Sequence, residues 1–134
     1  MEDELDALRK RRIEELKQQA GQQGTAKVLR VDEGTFHELL TTRPFLVVDF
    51  WAEWCGPCRM VGPVIEAIAE ELGDTVTFAK CNTDENPRIA ASYSITAIPT
   101  IMLFAQGQLV DRIIGAYPKE TMRSRVIRAF GLKK

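Results

Sequence analysis

The chain has 134 residues, 18 Lys and Arg against 19 Asp and Glu, a net charge of −1, and 45% hydrophobic and 28% charged residues. This suits one globular domain with a small appendage and excludes a strong electrostatic pull toward nucleic acid or an anionic membrane. Three cysteines are too few and odd in number for a disulfide scaffold, and no apolar run nears the roughly 20 residues of a membrane span.

Residues 2 to about 20 read as a helix. Leu, Ala, Glu, Lys, Gln and Arg dominate, and neither Gly nor Pro occurs before Gly21. Acidic residues crowd its start and Arg9-Lys10-Arg11-Arg12 follow, in keeping with the helix dipole. Leu5, Leu8, Ile13, Leu16 and Ala20 form one apolar stripe. That stripe suits docking on the chain's own domain, or contact with a partner or second copy. The acidic opening lacks the basic start and apolar run of a secretory signal, so the expected location is the cytoplasm. Gly21-Gln22-Gln23-Gly24 reads as a linker, dividing an N-terminal helical segment, 1–24, from a domain, 25–134.

Within the domain, Lys27 to Val31 reads as a short strand. Asp32 is placed to cap a helix over Gly34 to Thr41, with Phe36, Leu39 and Leu40 inward. His37, the single histidine, is expected on the exposed side of that helix. Pro44 restarts the chain as a strand from Phe45 to Ala52, apolar on both faces and therefore covered on both sides. A turn carrying Cys55 and Cys58 leads into a helix lined by Val61, Val64, Ile65, Ile68 and Leu72 and ending at Gly73. Pro63 removes one hydrogen bond inside it and is expected to kink it. Thr75 to Asn82 reads as a strand, Pro87 to about Tyr93 as a short helix, and Ile101 to Ala105 as another strand. Gln106-Gly107 forms a tight hairpin into Leu109 to Ile114. A last helix begins near Pro118, buries Met122, Val126, Ala129 and Phe130, and stops at Gly131. The order β-α-β-α-β-α-β-β-α predicts an α/β fold: a mixed sheet with parallel pairing among the first three strands, an antiparallel closing hairpin, and helices on both faces.

The chemistry concentrates in Trp51-Ala52-Glu53-Trp54-Cys55-Gly56-Pro57-Cys58-Arg59-Met60. Two cysteines at i and i+3 at a helix start can close a disulfide, and the helix N-terminus favours a thiolate. Cys55, at the turn, is the expected exposed nucleophile. Cys58, one turn in, is shielded and attacks second. Gly56-Pro57 fills a short, stiff loop between them. A zinc half-site is the first alternative, but structural zinc takes four ligands, and Cys81 and His37 match no zinc spacing. A plain structural disulfide is the second, although so small a ring restricts the unfolded chain little. In a reducing compartment a close pair is more often catalytic or metal-binding than structural.

Asp49 interrupts the apolar strand six residues before Cys55. Burial raises a carboxyl's pKa and makes it a usable proton acceptor near neutrality. The plainer reading is a buried acid paired to a base, and Lys80, which interrupts the strand Val76 to Cys81, is placed to pair with Asp49 and tune it. Alternation puts Cys81 on the face opposite Lys80, where it reads as a small buried hydrophobe.

The Trp51–Met60 stretch resembles the active-site signature of the thioredoxin family. Asp49, Pro63, Lys80, Ile98-Pro99-Thr100, Gly107 and Gly115 follow the same pattern, and the likeness runs from about Thr25 to Leu132. The resemblance implies a thioredoxin fold and a protein-disulfide reductase that maintains cytosolic redox homeostasis. It implies Cys55 as attacking thiol, Cys58 as resolving thiol, and a Cys55–Cys58 redox disulfide. Asp49 would be the general base for Cys58, with Lys80 beside it. Pro99 would be cis and face the dithiol. Trp54, Gly56, Pro57, Ile98, Pro99, Gly115 and Ala116 would form the docking surface, with Trp51 packed beneath. The implied partners are thioredoxin reductase or an equivalent electron donor, and oxidised client proteins. No cofactor, metal, nucleic acid or membrane is implied. The expected state is a monomer, with the N-terminal helix a candidate contact site.

Overall fold

A computed structural model describes residues 4–11 and 27–133. Residues 4–11 are helical (α1), and Leu5 and Leu8 on them are exposed, so these two members of the apolar stripe do not dock into a core. Ile13, Leu16, Ala20, the Gly21–Gly24 linker and the domain start at Thr25 lie outside the described residues. Among the described residues no helix is long and apolar enough to cross a membrane.

The remaining elements are β1 (Val28–Arg30), α2 (Phe36–Thr42), β2 (Phe45–Trp51), α3 (Gly56–Leu72), β3 (Thr77–Asn82), α4 (Pro87–Ser92), β4 (Thr100–Ala105), β5 (Gln108–Ile114) and α5 (Lys119–Phe130). The five strands form one sheet in the order β1-β3-β2-β4-β5. β1 and β2 both pair parallel with β3, while β2–β4 and β4–β5 are antiparallel. The expected mixed sheet is therefore present, and β2 holds its centre.

Alternation along β2 divides the core. Val47 faces α3 and α5, where Ile65, Ile68, Leu72, Met122, Val126 and Phe130 close one cluster. Leu46, Val48 and Phe50 face α2 and α4, against Phe36, Leu39 and Ile89. Phe36 sits edge-on to Tyr93 and Phe104, with centroids 5.6 and 6.0 Å away, a preferred aromatic geometry. Because both faces of β2 are covered, its alternation is hidden in a run that is apolar at every position but Asp49.

Several local expectations are refined. Asp32 does not cap α2, whose N-cap is Thr35 with no side-chain cap bond. Instead Asp32 Oδ1 accepts from the Gly34 and Thr35 amides at 2.9 and 3.0 Å, building the turn before the helix, as short acidic side chains do. α3 runs unbroken through Pro63. Pro63 has no N–H to donate to the Arg59 carbonyl. At the β4–β5 hairpin both Gln106 (φ 53°) and Gly107 (φ 79°) are left-handed, the pairing that a two-residue turn matched to strand twist requires.

Candidate active site

β2 ends at Trp51 and the chain reaches α3 through a four-residue turn, so the C-terminal end of the central strand delivers directly into a helix N-terminus. Cys55 is the N-cap of α3, and its Sγ accepts the Cys58 amide at 3.2 Å. Cys55 and Cys58 are joined as a disulfide with Cα atoms 5.3 Å apart. Gly56 and Pro57 are not a loop between them but the first turn of α3 itself. A proline there forfeits nothing, because first-turn amides have no intrahelical partner. The amide-to-sulfur bond and the helix dipole both favour negative charge on Cys55 Sγ when the disulfide opens.

The expected contrast in exposure between the two cysteines is not found. Cys55 is 3% and Cys58 5% exposed. In the disulfide form both pack with Ala52 in a small cluster that Trp51 and Ile98 border, which covers Cys55 as well as Cys58. Position separates them instead. Cys58 lines a cavity of about 180 Å³ that Asp49 also lines, and Cys55 is not part of its wall.

Asp49 is 3% exposed, on the α3 side of β2. Burial drives its carboxyl from an ordinary 3.8 up to about 7, against an opposing pull from the Lys80 ammonium. Asp49 and Lys80 are register partners in the β2–β3 ladder. Among the described residues no ion pair joins them within 4.0 Å. Lys80 Nζ lies over the Trp51 ring, 5.4 Å from its centroid, a cation–π placement. The expected pairing is thus a through-space influence. Cys81 is fully buried on the opposite face, and burial, reinforced by nearby carboxylates, pushes its thiol up to about 12.

The remaining predicted positions gather unevenly. The Ile98–Pro99 peptide is cis. The Pro99 carbonyl accepts the Gly115 amide at 2.9 Å, which ties the end of β5 to the start of β4. Gly115 has φ 105°, a conformation open to glycine and strained for other residues. Trp54 and Ile98 line one groove with Thr83, Ile95, Thr96 and Ala97. Gly56, Pro57 and Ala116 are exposed. Pro63 lies two turns into α3 and lines neither the cavity nor the groove. Among the described residues no group of three or more His, Cys, Asp and Glu is arranged to hold a metal ion.

One supporting residue escaped the sequence reading. Trp54 is 70% exposed, yet its Nε1 donates to Asp84 Oδ2 at 2.9 Å. Asp84 sits in a turn organised by Asn82, whose Oδ1 accepts the Asp84 and Glu85 amides. The cluster Asn82-Thr83-Asp84-Glu85-Asn86 signals a turn, but nothing in it indicates that the turn reaches Trp54.

A central strand feeding a dithiol at a helix N-terminus, with a carboxyl buried on the same strand, defines a thiol–disulfide exchange protein. The comparisons agree. The thioredoxin family model matches residues 27–128. The chain is 51% identical over 98 residues to a thioredoxin of Porphyra purpurea, covering 72% of this chain and 92% of that one. It is 47% identical over 93 residues to a chloroplastic M-type thioredoxin of Chlamydomonas reinhardtii, covering 69% and 66%. A crystal structure of a Malassezia sympodialis thioredoxin superposes with a TM-score of 0.71 at 36% identity, covering 76% of this chain and 90% of that one. The chain belongs to the thioredoxin family and has its fold. It is a dithiol–disulfide oxidoreductase, with the family's general partners, a reductase as donor and protein disulfides as substrates.

Proposed function

We propose that this protein is a general reductant of protein disulfides in which Cys55 attacks and Cys58 resolves. The Cys55 thiolate displaces one sulfur of a client disulfide, forming a mixed disulfide and releasing a client thiolate. The Cys58 thiolate then attacks Cys55 Sγ, closes the disulfide and releases the second client thiolate. Two electrons pass from dithiol to client, and a reductase returns them. Asp49 takes the Cys58 proton as general base, and Lys80 tunes it. Trp54, Gly56, Pro57, Ile98, Pro99, Gly115 and Ala116 receive the client chain, and Trp51 supports the turn. The observation that carries this reading is that Cys58 shares a cavity wall with Asp49 while Cys55 caps the helix.

The test is reduction of a generic protein disulfide with dithiothreitol as electron source. Cys55→Ser is expected to fall to background. Cys58→Ser is expected to accumulate a mixed disulfide on Cys55, visible by mass spectrometry. Full activity in Cys55→Ser would sink the order of attack.

We place the protein in the cytoplasm, feeding electrons to client enzymes there as a monomer. The chloroplastic relative makes the plastid stroma the second reading, and cell fractionation separates the two. The segment 1–24 is read as an appendage to a domain spanning 25–134. Deleting it is expected to leave the reduction rate and the molecular mass per particle unchanged, apart from the residues removed. A fall in oligomer mass would assign the helix to self-association.

A further inference from the structure

The outward face of α3 is apolar, although the solvent side of a surface helix ordinarily carries polar and charged residues. Gly56, Pro57, Met60, Pro63, Val64 and Ala67 are linked by i, i+3 and i, i+4 spacings and so share one side of the helix. That side lies away from Val61, Ile65, Ile68 and Leu72, which enter the core. Gly56, Pro57, Met60 and Pro63 are exposed, and Val64 and Ala67 are partly so. Met60, at the centre, is 71% exposed. The strip runs for roughly 17 Å of helix without a charge. α5 shows the ordinary pattern instead, with Glu120, Thr121, Ser124 and Arg128 at its exposed positions.

Charge bounds the strip. Arg59 turns back to the Glu53 carbonyl, to which its Nη2 donates at 3.2 Å. Glu71, at the far end, is ion-paired with Lys119 and Arg123. An apolar centre with a polar rim is the anatomy of a protein contact surface. The strip begins at Gly56 and Pro57, between the two cysteines, so a protein that brings its disulfide to Cys55 comes up against it. It shares no residue with the groove of Trp54 and Ile98.

We propose that this face of α3 is a second contact surface, which takes an apolar patch of a folded client beside its disulfide, with Met60 as the central contact. The inference rests on the reading of Trp54 and Ile98 as the docking groove for the client chain. The strip is convex, and beyond the first turn its amides bond within the helix, so it offers an extended segment no main-chain pairing. What it offers is apolar area, and a folded partner presents a matching area in one piece. The unbranched, polarizable side chain of methionine adapts to surfaces of different shape, which suits a reductant with many clients.

The test compares KM and kcat on a folded protein disulfide, insulin, and on a small neutral one, bis(2-hydroxyethyl) disulfide. The full-length proteins are wild type, Met60→Gln, Met60→Leu and Trp54→Ala. Met60→Gln keeps the side chain's length and makes it polar at a site where a substitution changes stability little. Its KM for insulin is expected to rise about fivefold with kcat unchanged, while both constants for the small disulfide stay at wild-type values. Met60→Leu, which keeps an apolar contact, is expected to restore the wild-type KM. An unchanged insulin KM in Met60→Gln overturns the proposal. So does an equal loss on both substrates, or a leucine variant as impaired as the glutamine one. If insulin reduction is unchanged while Met60→Gln lowers the molecular mass per particle, the face belongs to a second copy of the chain and the client assignment falls. If Trp54→Ala leaves the insulin rate at the wild-type value, the docking reading itself fails. If Trp54→Ala slows insulin reduction and Met60→Gln does not, the α3 surface alone is overturned.

Discussion

Asp49 and Lys80 stand opposite each other in the parallel β2–β3 register, yet the Lys80 ammonium lies over the Trp51 ring instead of on the carboxylate. The acid is thus left buried without an ion-pair partner, and burial outweighs the pull of Lys80 on its pKa. Folding therefore stabilises the protonated form. The unfolded chain releases this proton near pH 4, and the folded chain holds it to about pH 7. Between those limits the folded state binds more protons, so this group's effect is absent below about pH 4 and costs stability progressively as pH rises to 7. The full cost is about 4 kcal/mol. Asp49→Asn is expected to be more stable than wild type at pH 8 and to lose most of that advantage at pH 4. Urea unfolding of the disulfide form at both pH values measures this. A wild type that gains stability from pH 5 to 8 relative to the variant contradicts the assignment.

Lys80 opposes the effect of burial on Asp49. Lys80→Met keeps the side chain's length and apolar stem while removing the charge. The Asp49 carboxyl is expected to titrate higher, by up to about one pH unit. Carbonyl-region infrared titration of the folded protein reads this directly. A midpoint that stays put or falls would show that Lys80 acts through packing on Trp51 alone.

Trp54 is the most exposed of the residues assigned to docking that carry a large side chain, and its one hydrogen bond goes to Asp84. Trp54→Ala is expected to cost less than about 1 kcal/mol of stability. The second-order rate with a protein disulfide is expected to fall about tenfold, as removal of an aromatic anchor does, and the rate with a small aliphatic disulfide much less. Equal losses on both substrates would place Trp54 in the chemistry instead of in docking.

Cys81 is fully buried in the α2–α4 cluster and its thiol titrates near 12, so it is a poor nucleophile. In the reduced folded protein, iodoacetamide is expected to label Cys55 and leave Cys81 unmodified until the chain unfolds. Cys81→Ala is expected to keep disulfide reductase activity. Cys81→Ser, which buries a hydroxyl among apolar side chains, is expected to cost about 1–3 kcal/mol. Rapid labelling of Cys81 in the folded protein would reopen a regulatory role.

Much of the architecture was readable because its signals are local. The dipeptide Gln106-Gly107 marks a hairpin, Pro87 opens a helix, and Val61, Ile65, Ile68 and Leu72 mark one helix face, all within a few residues. The misreadings share a different origin. Asp32 reads as a helix cap because capping and turn-building use the same side-chain oxygen and differ only in backbone geometry. A turn is usually open, so the sequence suggests an exposed Cys55, but Ile98 arrives beside it from a segment more than forty residues away. The link from Asp84 to Trp54 leaves no local signal because the two lie thirty residues apart in the chain.

The sequence by itself determined the class of fold, the dithiol, the buried acid and the family, because those depend on residue type and short spacing. Tertiary structure alone decided the strand order β1-β3-β2-β4-β5, the return of Pro99 and Gly115 to the dithiol end, and the cavity that joins Cys58 to Asp49. It also decided that Lys80 rests on Trp51 without closing on Asp49. These are contacts between residues far apart in the chain. They follow from which faces of β2 are covered, and by what, and no local pattern records that.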